Sequence, residues 1–532
     1  MKRNYFSLGL LLAASTAFAQ TAFPALEYLD INKIKAGHMV HGDMWRNPIT
    51  SQPSMEFPKG TGKQASYQGS IWMSGRNGLG ELHVSGALYR FTGVDYWPGP
   101  LDAGGSLSYA TSQEWAKIWK VNRSDINTFL ALGSRTLSTV PAVILEWPGK
   151  GNIYAKSATG AALAVTTDMA PFVDVNSDGK YNALDGDYPQ IKGDQMLWWV
   201  FSDNGPTHGE TNGLPFKIEY HASAYAYNRG TDADRILFYE FLLHNKSSQK
   251  YSDFRFGLFS DADLGNPFDD YIAFDSSHRM GIEYNATPDD APSGTKSYGK
   301  HPPVTGLSFI EMPGDSYPGG MLPAGTFNYF ENGGSPEYLD PKVDTQYNHV
   351  MHARSIRGVP RHFGNYAFPI TGGAVQCDEG YPKNDRRYLI TSSDYGFQPG
   401  TKAKIAMAFM ITDTTGNTCP GVDFKPITDL ADTAWKIYYN PLPGLGTKEL
   451  DLAALGLKIW PNPASELLFV QTKAGTAALE LSVYDPLGHL MSVPVQRNNN
   501  LLTLDLGALA PGMYALSCRS GGVQHTELFL RK

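Results

Sequence analysis

The segment Ile236-Leu237-Phe238-Tyr239-Glu240-Phe241-Leu242-Leu243 is apolar on both of the faces that a β-strand presents. Successive side chains of a strand point to opposite sides, so such a run is typical of a central strand that is covered on both faces. Further strand-length apolar segments lie at 196–201, 216–228, 254–261, 305–312, 387–391 and 403–412. We therefore expect a mainly β fold in which most of the chain forms packed β-sandwiches.

The composition limits the kinds of partner that the chain can have. It has 532 residues, with 44 Lys and Arg against 52 Asp and Glu and a formal charge of -8. The length predicts several domains, and the acid excess argues against nucleic acid or an anionic membrane as a partner. The whole excess lies in residues 20–450, which hold 46 acidic against 36 basic residues. Three Cys do not make a disulfide framework, although Cys377 and Cys419 are candidates for one bond.

Residues 1–19 have the three parts of a secretory signal peptide. Lys2 and Arg3 give the positive start, Tyr5 to Ala14 the apolar stretch, and Ala17-Phe18-Ala19 the small-residue cleavage site. The apolar stretch is shorter than the about 20 residues of a membrane-spanning helix, and no other stretch is longer. We expect an exported chain with no transmembrane helix in its mature form.

Residues 112–132 favour a pair of short helices packed on a sheet. Thr111 and Glu114 form a capping-box pattern, and Ser124 precedes a second periodic run. The apolar residues of the first helix would share one face, which holds Trp115, Ile118 and Trp119. By contrast, 302–348 is expected to be rich in loops.

The end of the chain forms a separate unit. It follows the Pro/Gly-rich segment Asn440-Pro441-Leu442-Pro443-Gly444-Leu445-Gly446, which is typical of a linker. Short alternating segments separated by Gly turns predict a small β-sandwich, with strands at 480–485, 501–506 and 513–518.

Five elements of this unit resemble the type A C-terminal sorting domain of type IX secretion. They are Trp460-Pro461-Asn462-Pro463, Val483-Tyr484-Asp485, Gly488, Leu509 with Pro511-Gly512-Met513-Tyr514, and Phe529 to Lys532. The first residue of the motif is usually Tyr, and Trp460 keeps the aromatic character. The resemblance implies an Ig-like β-sandwich over about 455–532 that is recognised by the type IX machinery of a Gram-negative bacterium. It also implies that the cargo is secreted, or attached to lipopolysaccharide at the outer membrane; an ordinary Ig-like accessory module is the alternative.

The region before the linker resembles a set of large type IX-secreted proteins of unassigned function. The shared motifs are Phe57-Pro58-Lys59-Gly60, Trp97-Pro98-Gly99-Pro100, Asp174 to Asp187 with Tyr188-Pro189, Asp261-Ala262-Asp263-Leu264-Gly265 with Asp269-Asp270, and Asp385-Arg386-Arg387. This resemblance implies no catalytic residues. The expected organisation is a signal peptide at 1–19, a β-rich cargo region at 20–440 with two subdomains, a linker at 441–455 and a sorting domain at 456–532.

The segment Asp174-Val175-Asn176-Ser177-Asp178-Gly179-Lys180-Tyr181-Asn182-Ala183-Leu184-Asp185 fits the pattern of a calcium-binding loop. Oxygen donors stand at loop positions 1, 3 and 5, Gly at 6, and a carboxylate at 12. The predicted ligands are Asp174, Asn176, Asp178, the backbone carbonyl of Lys180, and Asp185, with Asp187 as a second candidate for the closing position. No helical periodicity precedes the loop, so we expect a structural Ca²⁺ rather than a paired sensor; a solvated Asp/Asn/Gly turn is the alternative.

A second acidic cluster is less regular. It consists of Asp261, Asp263, Asp269, Asp270 and Asp275, with no Lys or Arg among them. Like charges at this density repel one another, and a hard divalent cation would relieve the repulsion. A solvated acidic turn and a carboxylate pair for acid/base catalysis remain open as alternatives.

Familiar catalytic motifs are missing from the sequence. It contains no HExxH, GxSxG, P-loop or post-strand GxGxxG motif. We therefore expect a non-enzymatic extracellular structural or interaction component stabilised by Ca²⁺. The competing hypothesis is a secreted hydrolase of glycans or proteins, with its catalytic carboxylates in the aspartate-rich loops.

Overall fold

The computed structural model describes residues 25–90, 92–292, 294, 296–315, 322–331, 335–361, 363, 375–377, 383–413, 422–442, 458–471, 480–485, 490–498, 500–520 and 523–532. The expected signal peptide at 1–19 and nearly all of the expected linker at 441–455 lie outside these residues.

The first part of the chain forms short strands and three short helices: β1 (Leu26–Leu29), β2 (Lys35–Met39), β3 (Asp43–Met44), β4 (Arg46–Asn47), β5 (Gln52–Pro53), β6 (Met55–Glu56), β7 (Gln64–Ser66), β8 (Gln68–Arg76), β9 (Leu82–Ser85), β10 (Trp97–Pro98), α1 (Tyr109–Trp115), β11 (Trp119–Asn122), α2 (Arg123–Leu130), α3 (Ala142–Leu145), β12 (Phe172–Val173) and β13 (Tyr188–Pro189). The longer strands follow: β14 (Gln195–Ser202), β15 (Ile218–Ala226), β16 (Ile236–Asn245), β17 (Tyr251–Asp261), β18 (Asp270–Asp275), β19 (Met280–Asn285), β20 (Pro303–Glu311), β21 (Thr326–Glu331), α4 (Asp344–Met351), β22 (Val375–Cys377), β23 (Arg386–Thr391), β24 (Tyr395–Phe397), β25 (Lys402–Asp413) and α5 (Lys425–Tyr439). The last strands are β26 (Lys458–Trp460), β27 (Leu467–Gln471), β28 (Glu480–Tyr484), β29 (Leu490–Met491), β30 (Val495–Asn498), β31 (Leu501–Asp505), β32 (Gly512–Ser520) and β33 (Val523–Arg531).

Two large antiparallel sheets pack face to face around one apolar core. The first has the order β21-β23-β17-β8-β3-β2-β6-β7, with β1, β9 and β24 paired beside this path. The second has the order β10-β14-β15-β16-β25-β20-β19-β18-β22, with β11 paired to β14. Phe256 and Phe327 of the first sheet share a buried cluster with Trp199, Tyr220 and Phe409 of the second. The prediction of a mainly β, sandwich-type fold is confirmed.

The strand β16 lies in the middle of the second sheet, between β15 and β25. Leu237 and Tyr239 belong to the core between the sheets, whereas Ile236 and Phe238 belong to a second apolar cluster on the outer face. The run 236–243 is apolar on both faces because both faces are covered.

Helices cover the outer faces of both sheets. Ile427, Leu430 and Ala434 of α5 pack with the outer-face residues of β25, and α4 packs against the outer face of the first sheet. The sequence interpretation missed α5 and placed α4 and β21 within the expected loop-rich stretch 302–348. α4 and β21 are short, so tertiary contacts decide them. The apolar residues of α5 recur at helical spacing, from Ile427 to Tyr438, so its signal was present in the sequence and was overlooked.

The predicted helical pair exists, but its boundaries differ. α1 begins after Ser108, whose hydroxyl accepts the Thr111 N–H at 3.1 Å, so the capping box of Thr111 and Glu114 is wrong. Trp119 lies in β11 instead of on the helix. α2 begins after Asn122 rather than Ser124, because Asp125 accepts the backbone N–H of Asn122 at 2.9 Å.

The C-terminal unit is a small sandwich of two four-stranded sheets. Their orders are β26-β27-β31-β30 and β29-β28-β32-β33. Leu468 and Leu504 of the first sheet share a buried cluster with Val483 and Leu516 of the second. The prediction of an Ig-like β-sandwich at the end of the chain is confirmed in its class.

Candidate functional site

The aspartate loop 174–187 is closed at its base by the pairing of β12 with β13. Asp174 accepts the backbone N–H groups of Asp178 at 3.3 Å and of Gly179 at 2.8 Å. Gly179 has a φ of 75°, in the left-handed region that Gly adopts without steric cost. The loop therefore curls around its first carboxylate, and the side chains of Asn176 and Asp178 also lie within hydrogen-bonding distance of each other, at 3.3 Å.

Asp187, rather than Asp185, is the carboxylate that closes the loop. It is fully buried and accepts the N–H groups of Val175 at 2.8 Å and Asn182 at 2.9 Å. Burial raises its pKa, and the charges of Asp174 and Asp178 add to that effect. Asp185 is exposed and accepts a hydrogen bond from the Asn182 amide. All of the predicted ligands lie in this one loop, and Ca²⁺ binding by the loop stays a prediction.

The second acidic cluster lies where the chain crosses from the first sheet to the second. Asp261 ends β17 and Asp270 begins β18, with Asp263 between them at a φ of 41°. In the β18–β19 register Asp270 is opposite Asn285 and Ile272 is opposite Glu283. Because alternate residues share a face, Asp270 and Glu283 are diagonal neighbours that point to the same side. Both are 1% exposed.

Several carboxylate oxygens of this cluster are buried and unpaired. Asp270 uses one oxygen to accept the Leu264 N–H at 2.9 Å, and Glu283 uses one to accept the Thr305 hydroxyl at 3.2 Å. The other oxygen of each accepts no N–H or hydroxyl of the described residues, although the two carboxyls contact each other. One oxygen each of Asp263 and Asp269 is also buried without a donor among these residues. Leaving an ionised oxygen buried and unpaired costs several kcal/mol, so a cation is the natural partner for such a group.

A neighbouring group consists of Asp261, Asp263 and Asp385, each of which offers an oxygen within 4.8 Å of the others. The guanidinium of Arg387 faces them, with nitrogens 3.7 Å from Asp261 and 3.3 Å from Asp385. Arg387 also binds Asp340 at 2.6 Å. Arg387 therefore pairs with three carboxylates at once. Its single positive charge does not balance the negative charge around Asp263.

The electrostatics of the cluster follow from burial. Burial raises the pKa of Asp263 to about 7, with the charge of Asp385 as the next cause. Burial also holds the pKa values of Asp261, Asp270 and Glu283 well above the ordinary carboxyl range, and the neighbouring acidic groups add to the effect. The carboxyls must take up protons or share a cation; a hard divalent ion with oxygen ligands fits this donor set.

The structure does not bring Asp275 to the cluster. Asp275 lies at the far end of β18, about 16 Å along the strand from Asp270 by the usual rise per residue, and its carboxylate contacts Nδ1 of His278 at 2.5 Å. The sequence interpretation missed Glu283, which stands in a strand whose six residues are all buried. A charged residue in such a run is the signal, because ionised side chains are almost never fully buried without a partner.

One buried network has the arrangement of a hydrolase triad, with Ser85 next to His208 and His208 next to Asp95. The Ser85 hydroxyl lies 3.0 Å from Nε2 of His208, and Nδ1 of His208 lies 3.4 Å from Asp95. However, Ser85 is fully buried and donates its proton to Asp203 at 2.8 Å. Asp95 accepts N–H groups from residues 86, 210 and 211. This network ties loops together, and its serine is not presented to a substrate.

The motif at the start of the C-terminal sandwich contacts the last strand of the chain. The side-chain oxygen of Asn462 accepts the Leu530 N–H at 3.0 Å, and Ala464 donates its N–H to Leu530 at 2.8 Å. Trp460 stacks on Phe469 with 5.8 Å between ring centroids and remains 38% exposed. The motif residues thus join the two ends of the unit and leave one aromatic ring at the surface.

Residues 458–530 match the family described as "Secretion system C-terminal sorting domain". The unit is a type IX sorting domain. The chain that carries it is a secreted or surface-attached protein of a Gram-negative bacterium and interacts with the type IX machinery. Within the described residues, no helix has the length and apolar character needed to span a membrane.

The comparisons of the whole chain with curated proteins and with solved structures add little to this. No curated protein matches the sequence. A solved polysaccharide lyase aligns at 11% identity and a TM-score of 0.19, covering 68% of this chain and 38% of its own. The chain thus spans little more than a third of that enzyme, and a similarity this weak carries no argument about activity.

Proposed function

We propose that this protein is a Ca²⁺-stabilised cargo of type IX secretion that acts outside the cell as a structural or interaction component. The proposal includes Ca²⁺ in the loop 174–187 and in the cluster around Asp263, Asp270 and Glu283. It also includes attachment to surface lipopolysaccharide as one fate of the processed cargo. The observation that carries it is the set of buried, unpaired carboxylate oxygens at the crossing between the two sheets.

Calcium suits the place as well as the ligands. Extracellular modules bind Ca²⁺ with dissociation constants of about 10⁻⁴ to 10⁻³ M, which extracellular calcium reaches. Oxygen donors are the ligands that Ca²⁺ prefers, and every donor of the cluster is a carboxylate or a backbone group. Export through the sorting domain therefore delivers the chain to the medium in which its acidic cluster would be neutralised.

The competing hydrolase function would use Asp270 and Glu283 as a carboxyl pair. Their adjacency on one face and their raised pKa values are the features of such a pair. A polymer substrate must reach the carboxyl oxygens, however, and both side chains are 1% exposed and face the core between the sheets. The burial therefore favours an enclosed ion over a catalytic pair.

The proposal is tested by thermal unfolding of the full chain with Ca²⁺ or with a chelator. A Ca²⁺ concentration of 100 times the dissociation constant adds about 2.7 kcal/mol to the free energy of unfolding. For a cooperative unit of this size we expect a rise of about 3 °C in the melting temperature. Mg²⁺ at the same concentration is the control, because it prefers a smaller octahedral site with bound waters. Equal melting curves with chelator and with Ca²⁺ would overturn the proposal.

A further inference from the structure

A cluster of different chemistry lies on the outer face of the second sheet. Glu219 and His221 are two residues apart on β15, so their side chains share one face. His244 on β16 is directly opposite Glu219 in the antiparallel register. The strand geometry alone therefore brings one carboxylate and two imidazoles together. All three side chains are buried, with exposed fractions of 1%, 8% and 7%.

The ligand atoms lie near the spacing of a four-coordinate metal. Nε2 of His221 lies 2.9 Å from Oε1 of Glu219, and Nδ1 of His244 lies 3.8 Å from the same oxygen. One atom from each residue lies within 4.8 Å of the other two. Tetrahedral Zn²⁺ with bonds of about 2.0 to 2.1 Å holds its ligand atoms about 3.3 Å apart, between the two measured distances.

The imidazole of His244 stacks on that of His221, with 4.5 Å between the ring centroids, but its nitrogens are not used in hydrogen bonds to the described residues. Its Nε2 has no hydrogen-bond partner among the described residues, and its Nδ1 is too far from Glu219 for a hydrogen bond. A neutral imidazole with an unused lone pair is the form that binds a metal.

The surroundings orient the cluster. The Leu101 N–H donates to Oε2 of Glu219 at 2.9 Å and leaves Oε1 to face the two imidazoles. Such contacts to the remote atom of a ligand are typical of metal sites. The Lys246 ammonium lies 3.7 Å from Oε1 on a side chain that is 35% exposed, so it is able to swing into solvent when a cation binds.

We propose that Glu219, His221 and His244 form a binding site for one borderline transition metal ion of the Zn²⁺ class. Two nitrogen donors and one carboxylate select such an ion over Ca²⁺ or Mg²⁺, which prefer all-oxygen sites. Three protein ligands leave one coordination position for water or a ligand. The site is separate from the acidic cluster, and it does not rest on the proposed function.

The test is Zn²⁺ titration of the full chain by calorimetry with Ca²⁺ in excess, so that the carboxylate sites are occupied. We expect one Zn²⁺ per chain and a loss of affinity of at least about 100-fold in His221→Gln and His244→Gln, since even outer-shell changes cost 10–100-fold. His83→Gln is the matched control, because His83 is 8% exposed on a strand and its Nδ1 contacts Pro215. Its affinity for Zn²⁺ should equal that of the wild type.

A second measurement covers variants that fail to fold. Zinc X-ray absorption of the loaded wild-type chain should show two imidazole nitrogens and a carboxylate oxygen in the first coordination shell. Absence of tight Zn²⁺ binding, a shell without two imidazoles, or unchanged affinity in both folded glutamine variants would each overturn the proposal.

Discussion

Asp263→Asn tests the acidic cluster with little other disturbance. Asp263 lies between the two carboxylate groups, and its charge contributes to the raised pKa values of Asp261, Asp270 and Glu283. Its φ of 41° is one that Asn tolerates nearly as well as Asp, so the backbone is not strained by the change. The variant removes one negative charge and keeps the shape of the side chain.

The expected effect has opposite signs with and without Ca²⁺. A carboxyl whose pKa is 3.8 in the unfolded chain and about 7 in the folded chain weakens folding at neutral pH by about 4 kcal/mol. Asp263 keeps partial contact with water, which reduces this to about 2 kcal/mol. With chelator at pH 7.5, Asp263→Asn should therefore be more stable than the wild type by about 2 kcal/mol. With Ca²⁺ at 100 times the dissociation constant each occupied site adds about 2.7 kcal/mol, so the variant should lose the gain from the cluster and keep only the gain from the loop 174–187.

Urea unfolding followed by tryptophan fluorescence measures all four free energies. Asp232→Asn is the control, because Asp232 is exposed and lies outside the acidic cluster and the loop 174–187. It should shift neither the stability in chelator nor the response to Ca²⁺. Destabilisation of Asp263→Asn in chelator, or a Ca²⁺ response equal to that of the wild type, would contradict a cation site at this carboxylate.

Three further predictions use other features of the chain. In chelator, the free energy of unfolding should fall as pH rises from about 4 to about 7, because the folded state binds more protons than the unfolded state over this range; a flat urea profile would contradict the raised pKa of Asp263. Trp199→Ala should lower the free energy of unfolding by about 3 to 5 kcal/mol, since the side chain is fully buried between the sheets, whereas Ile153→Ala, at a position 78% exposed, should change it by less than about 0.5 kcal/mol. Deletion of residues 458–532 should keep the cargo out of the medium in fractionation and immunoblot experiments; secretion of the truncated chain at wild-type level would contradict the role of the sorting domain.

The sequence predicted the parts of the fold that depend on local patterns. The central strand was recognisable because burial on both faces requires an unbroken apolar run, as in 236–243. The C-terminal sorting domain was recognisable because its motif residues lie at both ends of one small unit. The helix α5 was not predicted, although its apolar residues recur at the helical spacing of three and four positions from Ile427 to Tyr438.

Only part of the acidic cluster could be predicted from the sequence. Asp261, Asp263 and Asp270 are close in sequence, so their density was visible before the structure. Glu283 joins them through the pairing of β18 with β19, and Asp385 joins them from more than 100 residues away. The cluster of Glu219, His221 and His244 also depends on register, which a sequence pattern does not give.

The position of β16 between β15 and β25 affects the incomplete chain during synthesis. Its first neighbour precedes it, but its second begins at Lys402, more than 150 residues later. Until that strand emerges, the apolar edge of β16 is open to pairing with other chains. A fragment that ends just before Lys402 keeps this edge exposed, so proteolysis there should yield aggregates instead of a soluble N-terminal fragment. Chaperone protection of the newly made chain would therefore matter most before the strand β25 has been synthesised.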